Sequence, residues 1–140
     1  METLHLDLRS LATGDQTVDR QHEEIFRRAG SLRTAVEEGR GAEEVVELLA
    51  FLDDYTQLHF SSEELLMERE GFPALAGHRR EHVALLGAIR LLEQELRVIG
   101  PTPAMVARVN QVIFRRFIQH IQQSDQAFAG FVRGKAQSAR

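Results

Sequence analysis

Six histidines occur in the chain, His5, His22, His59, His78, His82 and His120, and five of them fall in segments with helical periodicity. In 59-HFSSEELLM-67, His59 and Glu63 stand four residues apart and share one helix face. In 78-HRREH-82, His78 and His82 have the same spacing, with which a helix hands two imidazole nitrogens to one metal ion. His22 closes 18-VDRQH-22, and Asp125 follows His120 in 120-HIQQSD-125. Taken singly these motifs are weak, because a lone helical histidine is usually a surface or hydrogen-bonded core residue. His5, in the irregular N-terminal stretch, keeps that ordinary reading.

The segments that carry these residues read as four helices. The first runs from about Val18 to Glu38, with Thr17 or Asp19 as its cap, Gly39 as its stop, and a stripe of Ile25, Phe26, Ala29, Leu32 and Val36. The second runs from about Ala42 to Arg69, ended by 70-EGFP-73, with Phe51, Leu52, Tyr55, Leu58, Leu66 and Met67 as its apolar positions. The third covers about Leu75 to Val98 and stops at 100-GPTP-103. The fourth opens at Thr102–Pro103, where proline suits a first helical turn, and runs past His120. The breaks are short, so consecutive helices are expected to be antiparallel neighbours, and no segment alternates like a strand. The fold expected is all-α: an up-down-up-down four-helix bundle over about residues 17–131 of a single domain 1–140, with an N-terminal arm and room for a short C-terminal helix.

That topology puts the motifs at one height. His22 lies near the start of the first helix, His59 and Glu63 near the end of the second. His78 and His82 lie near the start of the third, His120 and Asp125 near the end of the fourth. All seven therefore converge at one end of the bundle. Five imidazoles and two carboxylates are too many for one ion and natural for two. Each carboxylate has two oxygens and can bridge a metal pair. The donor set suits iron, with manganese, zinc or copper open on donor type alone. Metal charge would also explain why a histidine and a carboxylate are buried together on the second helix.

Bulk properties narrow the classes. A 140-residue chain with 43% hydrophobic and 27% charged residues has ordinary globular composition and enough length for one core. Its formal charge of −4 and lack of a long basic block argue against nucleic acid or an anionic membrane as partner. Without cysteine, disulfides, zinc–thiolate sites, iron–sulfur clusters and thiol catalysis are excluded. The stretch 1-METLHLDLRSLATGD-15 has acidic residues and no continuous apolar run, so neither a secretory signal nor a membrane span is expected. The expected location is cytoplasmic.

Over about Val18 to Phe131 the sequence resembles the hemerythrin family, specifically its single-domain bacterial members. The resemblance rests on 18-VDRQH-22, on 59-HFSSEE-64 with Met67, on 72-FPALAGHRREH-82 and on 120-HIQQSD-125. It implies a non-haem di-iron site in which one iron takes His78, His82 and His120 and the other His22 and His59. Glu63 and Asp125 would bridge both, together with an oxo or hydroxo group. The family binds dioxygen reversibly at the open position of the second iron, for storage, transport or sensing, and is not an enzyme. The apolar residues flanking the ligands, Ile25, Phe60, Leu85, Phe117 and Ile121, are then expected to form a dry dioxygen pocket, and plain core packing accounts for each equally well. This chain departs from the family in having no tryptophan and in carrying Arg116-Phe117 where a Trp-Leu pair is frequent. Phe117 is expected to narrow the pocket and Arg116 to alter solvent access.

Two rival classes remain at this stage. One is a di-iron oxidase or peroxidase, but no glutamate stands three residues before any of the five helix histidines, as the carboxylate-rich oxidases require. The other is a module that senses iron, oxygen or nitric oxide and acts through a separate protein partner. A geometric expectation concerns 120-HIQQSD-125. Five residues of regular helix rotate by about 140° and would aim Asp125 away from His120. The helix should therefore form a wide turn between Ile121 and Asp125 or end there.

Overall fold

Asp15, rather than Thr17 or Asp19, starts the first helix: its side chain accepts a hydrogen bond from the Val18 amide at 3.1 Å. Asp19 instead gathers the preceding turn, accepting from the Thr13 amide and hydroxyl and from the Gly14 amide. The computed structural model describes residues 12–138, without the side chains of 114 and 136–138. His5 and most of the N-terminal arm lie outside the described residues. Helix α1 spans Gln16–Glu37, α2 Gly41–Glu70, α3 Leu75–Ile99 and α4 Pro103–Val112. Thr102 caps α4 by accepting from the Met105 amide, with Pro103 in the first turn as the sequence suggests.

Beyond Val112 the helix does not stop. It widens into π-helical segments at Ile113–Ile118 and Ile121–Asp125, then resumes as α5 over Gln126–Ser138. The second wide segment is the one expected from the spacing of His120 and Asp125, with the Gln126 amide donating to the carbonyl of Ile121, five residues back. The first was not expected. It lets Ile113, Phe117 and Ile118 all turn inward, although Ile113 and Ile118 are five apart and Phe117 and Ile118 are adjacent.

The four helical runs form an all-α bundle in which α1 packs on α2 and α2 on α3, with α4 against α1, α2 and α3. Gly41 marks a close approach: a β-carbon there would sit 2.9 Å from Val106 Cγ1 and 3.0 Å from Val36 Cγ2. Gly71, at φ 68°, ends α2 in the left-handed conformation that lets the chain reverse into α3. Apolar side chains collect in two clusters. The larger runs from Ile25, Leu52 and Phe60 down to Leu96 and Met105, and the smaller, at the opposite side of the histidines, joins Val18, Leu66, Met67 and Phe128 under Phe72, Leu75 and Phe131. Among the described residues no helix is long and apolar enough to cross a membrane.

Two expected core positions are not in the core. Leu58 is 56% exposed, because the α2 residue facing inward on that turn is His59, and Val36 is 41% exposed while Ala35 takes the buried place in α1. The contrast is measurable by urea unfolding. Leu92→Ala, at a fully packed site, is expected to cost about 2–5 kcal/mol, and Leu58→Ala to stay within about 0.5 kcal/mol.

Candidate metal centre

Between the two apolar clusters lies a layer made almost wholly of titratable side chains. α1 supplies His22, α2 supplies His59 and Glu63, α3 supplies His78 and His82, and the wide-turned fourth run supplies His120 and Asp125. None of the seven is more than 8% exposed, so bulk water cannot solvate their charges. Their donor atoms fall into two overlapping groups, Glu63, His78, His82, His120 and Asp125, and His22, His59, Glu63 and Asp125, each with all its atoms within 4.8 Å of one another.

The two carboxylates divide their oxygens between these groups. Glu63 Oε1 faces His78 Nε2 at 2.8 Å and His82 Nε2 at 3.2 Å, while its Oε2 faces His22 Nε2 at 3.2 Å and His59 Nε2 at 3.4 Å. Asp125 Oδ1 faces His78 Nε2 at 2.9 Å and His120 Nε2 at 3.3 Å, and its Oδ2 faces His22 Nε2 at 3.0 Å. All five rings thus aim Nε2 at the middle. Several of these atoms are close without being aligned for a hydrogen bond: His59 Nε2, His82 Nε2, His120 Nε2 and Asp125 Oδ1 are buried and have no hydrogen-bond partner. Orphaned buried polar atoms are rare and costly. A layer of nitrogen and oxygen lone pairs converging in this way fits cations, one in each group.

Without metal, protons hold the layer together. Burial pushes the Glu63 carboxyl up, but the imidazoles of His22, His59, His78 and His82 outweigh it and hold Glu63 well below its ordinary value. Burial and the nearby Glu63 charge push Asp125 up, and contacts with His120, His22 and His78 bring it down to about 2. Burial likewise pulls His22 and His78 down, yet Asp125 and Glu63 raise them to about 10 and about 9. Metal would replace these protons, so uptake improves as pH rises.

A ring of supporting contacts, not anticipated from the sequence, surrounds the layer. His59 Nδ1 donates to Gln21 Oε1 at 3.0 Å, and Gln21 in turn donates to Ser62 Oγ. His82 Nδ1 donates to Glu64 Oε2 at 2.7 Å, and His120 Nδ1 faces Glu81 Oε2 at 3.1 Å. Each helix supports a histidine of the next: α1 supports α2, α2 supports α3, and α3 supports the fourth run. The sequence does hold a signal, since Gln21, Glu64 and Glu81 each adjoin a residue of the layer, about 100° round the helix toward a neighbour. Such contacts fix the ring tautomer and leave Nε2 free as a ligand atom.

The five apolar candidates, Ile25, Phe60, Leu85, Phe117 and Ile121, are all buried and belong to the larger cluster. Phe60 lies flat on the His82 ring, centroids 3.9 Å apart with 5° between planes, and Phe117 stacks on Phe60 at 6.0 Å. Arg116 is exposed and, with Glu81, His120 and Ser124, lines an open groove on the outer face of α3 and the fourth run.

Two outcomes follow for this layer. In metal-free protein the raised His22 and His78 contribute stability that is complete below their ordinary value of 6.5 and lost as pH rises through about 9 and 10. The depressed Asp125 contributes above its ordinary value of 3.8, and this is lost as pH falls through about 2. Glu63, also held below its ordinary value of 4.5, adds stability above that value, so thermal unfolding of the metal-free chain is expected to show its highest midpoint between pH 4.5 and 6.5, falling on both sides. Separately, deleting Gln122 leaves four residues from His120 to Asp125, a spacing that a regular helix keeps on one face. That deletion is expected to retain the metal stoichiometry of the parent, whereas inserting one alanine after Gln122 turns Asp125 outward and lowers metal content.

Residues 13–132 match the family described as Hemerythrin HHE cation binding domain. The bacteriohemerythrin of Stenotrophomonas maltophilia is 32% identical over 123 residues, covering 88% of this chain and 78% of the relative. The bacteriohemerythrin of Methylococcus capsulatus is 31% identical over 114 residues, covering 79% and 82%, and that of Pseudomonas aeruginosa is 29% identical over 124 residues, covering 88% and 78%. With a converging histidine–carboxylate layer at one end of an all-α bundle and a family match over most of its length, the chain belongs to the hemerythrin family.

Proposed function

We propose that the chain binds dioxygen reversibly at a non-haem pair of iron ions, as a binding protein rather than an enzyme. The observation that carries this reading is the division of the Glu63 and Asp125 oxygens between two histidine groups. Single-ion sites have no need of it; a pair of ions sharing two bridges does. In this reading His78, His82 and His120 would hold one iron and His22 and His59 the other. When bound, the iron pair supplies two electrons and one open coordination position for dioxygen.

The remaining work belongs to the chain. Glu63 and Asp125 neutralise part of the metal charge and fix the distance between the two positions. His22 and His59 would supply two imidazoles to their position, against three at the other. Ile25, Phe60, Leu85, Phe117 and Ile121, buried beside the layer, present only hydrocarbon and aromatic surface. A wall of that kind excludes water and offers no acid or base to push bound dioxygen on to further chemistry. Phe117, wider than the leucine frequent in the family, narrows that space from the fourth run.

Anaerobically purified, iron-loaded protein is expected to hold two irons per chain by elemental analysis. Its optical spectrum should change on admitting dioxygen and return when dioxygen is removed. One iron per chain, a preference for zinc, or irreversible oxidation at first exposure would sink the proposal. His22→Ala or His59→Ala is expected to abolish the dioxygen-dependent band and to weaken one metal position by more than the roughly 10- to 100-fold typical of an outer contact. Glu63→Ala should deplete both positions, and His5→Ala neither.

A further inference from the structure

The supporting ring is unequal in charge. Behind the His78, His82 and His120 group stand two carboxylates, Glu64 on His82 Nδ1 at 2.7 Å and Glu81 on His120 Nδ1 at 3.1 Å. Behind the other group, among the described residues, His59 Nδ1 meets the neutral amide of Gln21, and His22 Nδ1 is buried with no hydrogen-bond partner. Glu64 is shielded, 24% exposed, and shares its other oxygen with Arg79 Nε at 3.2 Å; Glu81 is half-exposed and more screened by solvent. The inequality therefore rests chiefly on Glu64. A carboxylate accepting the Nδ1 proton makes the imidazole a stronger donor through Nε2. Added donor strength favours the higher charge state of a bound metal, while the Arg79 guanidinium on the other Glu64 oxygen offsets part of that carboxylate's own charge.

We infer that Glu64 and Glu81 set the order of oxidation of the two metal positions, so that the His78–His82–His120 position gives up the first electron and the His22–His59 position stays reduced. This deepens the di-iron reading and rests on it. The step is a one-electron transfer: ferricyanide, added without dioxygen, takes one electron from the diferrous protein, becoming ferrocyanide and leaving one ferric and one ferrous ion. Glu64 and Glu81 touch neither iron nor dioxygen, and act as positioning residues through His82 and His120. The asymmetry also suits the proposed function, because the position left open for dioxygen is then the one less prone to lose an electron by itself.

The test is anaerobic spectroelectrochemistry of iron-loaded protein with iron content measured on each sample. Glu64→Gln keeps the size and a hydrogen-bond acceptor but removes the charge, and is expected to raise the first midpoint potential. Glu81→Gln should raise it by less. Gln21→Glu places a carboxylate behind His59 and is expected to narrow the interval between first and second potentials. Unshifted first potentials in both glutamine variants at full iron content overturn the inference. So does an interval that fails to narrow in Gln21→Glu, and so does loss of iron from both glutamine variants, which would assign Glu64 and Glu81 to holding the metal alone. Parent protein that never holds two irons would instead overturn the di-iron reading itself.

Discussion

Two buried carboxylates facing five buried imidazoles form the constraint around which the bundle is arranged. Glu63 and Asp125 are at most 1% exposed, and neither has a lysine or arginine partner among the contacts described for it. Charges so placed are tolerable only if something opposite neutralises them. Histidine alone among the side chains can do this with a proton when the layer is empty and with a lone pair when a cation fills it. This double capacity explains why the layer is built of histidine rather than lysine or arginine. The carboxylates are shared in either state.

Meeting that constraint deforms one helix and spares three. α1, α2 and α3 present their site residues at one position or at a four-residue spacing, which regular helix geometry delivers. The fourth run must present His120 and Asp125, five apart, to the same centre. It does so by the wide turn at Ile121–Asp125, with the Gln126 amide reaching back to Ile121. The preceding wide segment at Ile113–Ile118 keeps Phe117 and Ile118 both buried. Such turns are uncommon and concentrate at functional sites. Here the cause is legible: a spacing that the ordinary helix cannot serve.

Much of this is legible in the sequence. Gly39, Gly71 and 100-GPTP-103 punctuate the helices, and matching distances from the helix ends bring seven side chains to one height. The wide turn after His120 follows from counting residues. What could not be read depends on packing between helices. Leu58 and His59 compete for one inward place, and periodicity does not say which wins; the side chains on the facing helices do. Asp15 captures the Val18 amide while Asp19, already inside α1, is engaged by Thr13 and Gly14, a division of roles that a cap pattern does not resolve. Gln21, Glu64 and Glu81 pass for ordinary polar surface until the neighbouring helix is in place. The widening at Ile113–Ile118 has no polar marker at all, only three buried side chains at spacings that a single helix stripe does not produce.

The position of the layer also separates binding from folding. Among the described residues the larger apolar cluster includes no member of the histidine–carboxylate layer, and the smaller cluster closes the other side with Val18, Leu66, Met67 and Phe128. Hydrophobic burial scales with area removed from water and needs no metal. Small metal-dependent domains lack such a core and fold only when the ion arrives. In this bundle the layer is held from both faces by packing that exists already, and His59, His82 and His120 are held in orientation by Gln21, Glu64 and Glu81. A site built this way meets its metal with ligand directions set in advance. The supporting contacts sit on Nδ1 of His59, His82 and His120, so binding a cation at Nε2 leaves them in place.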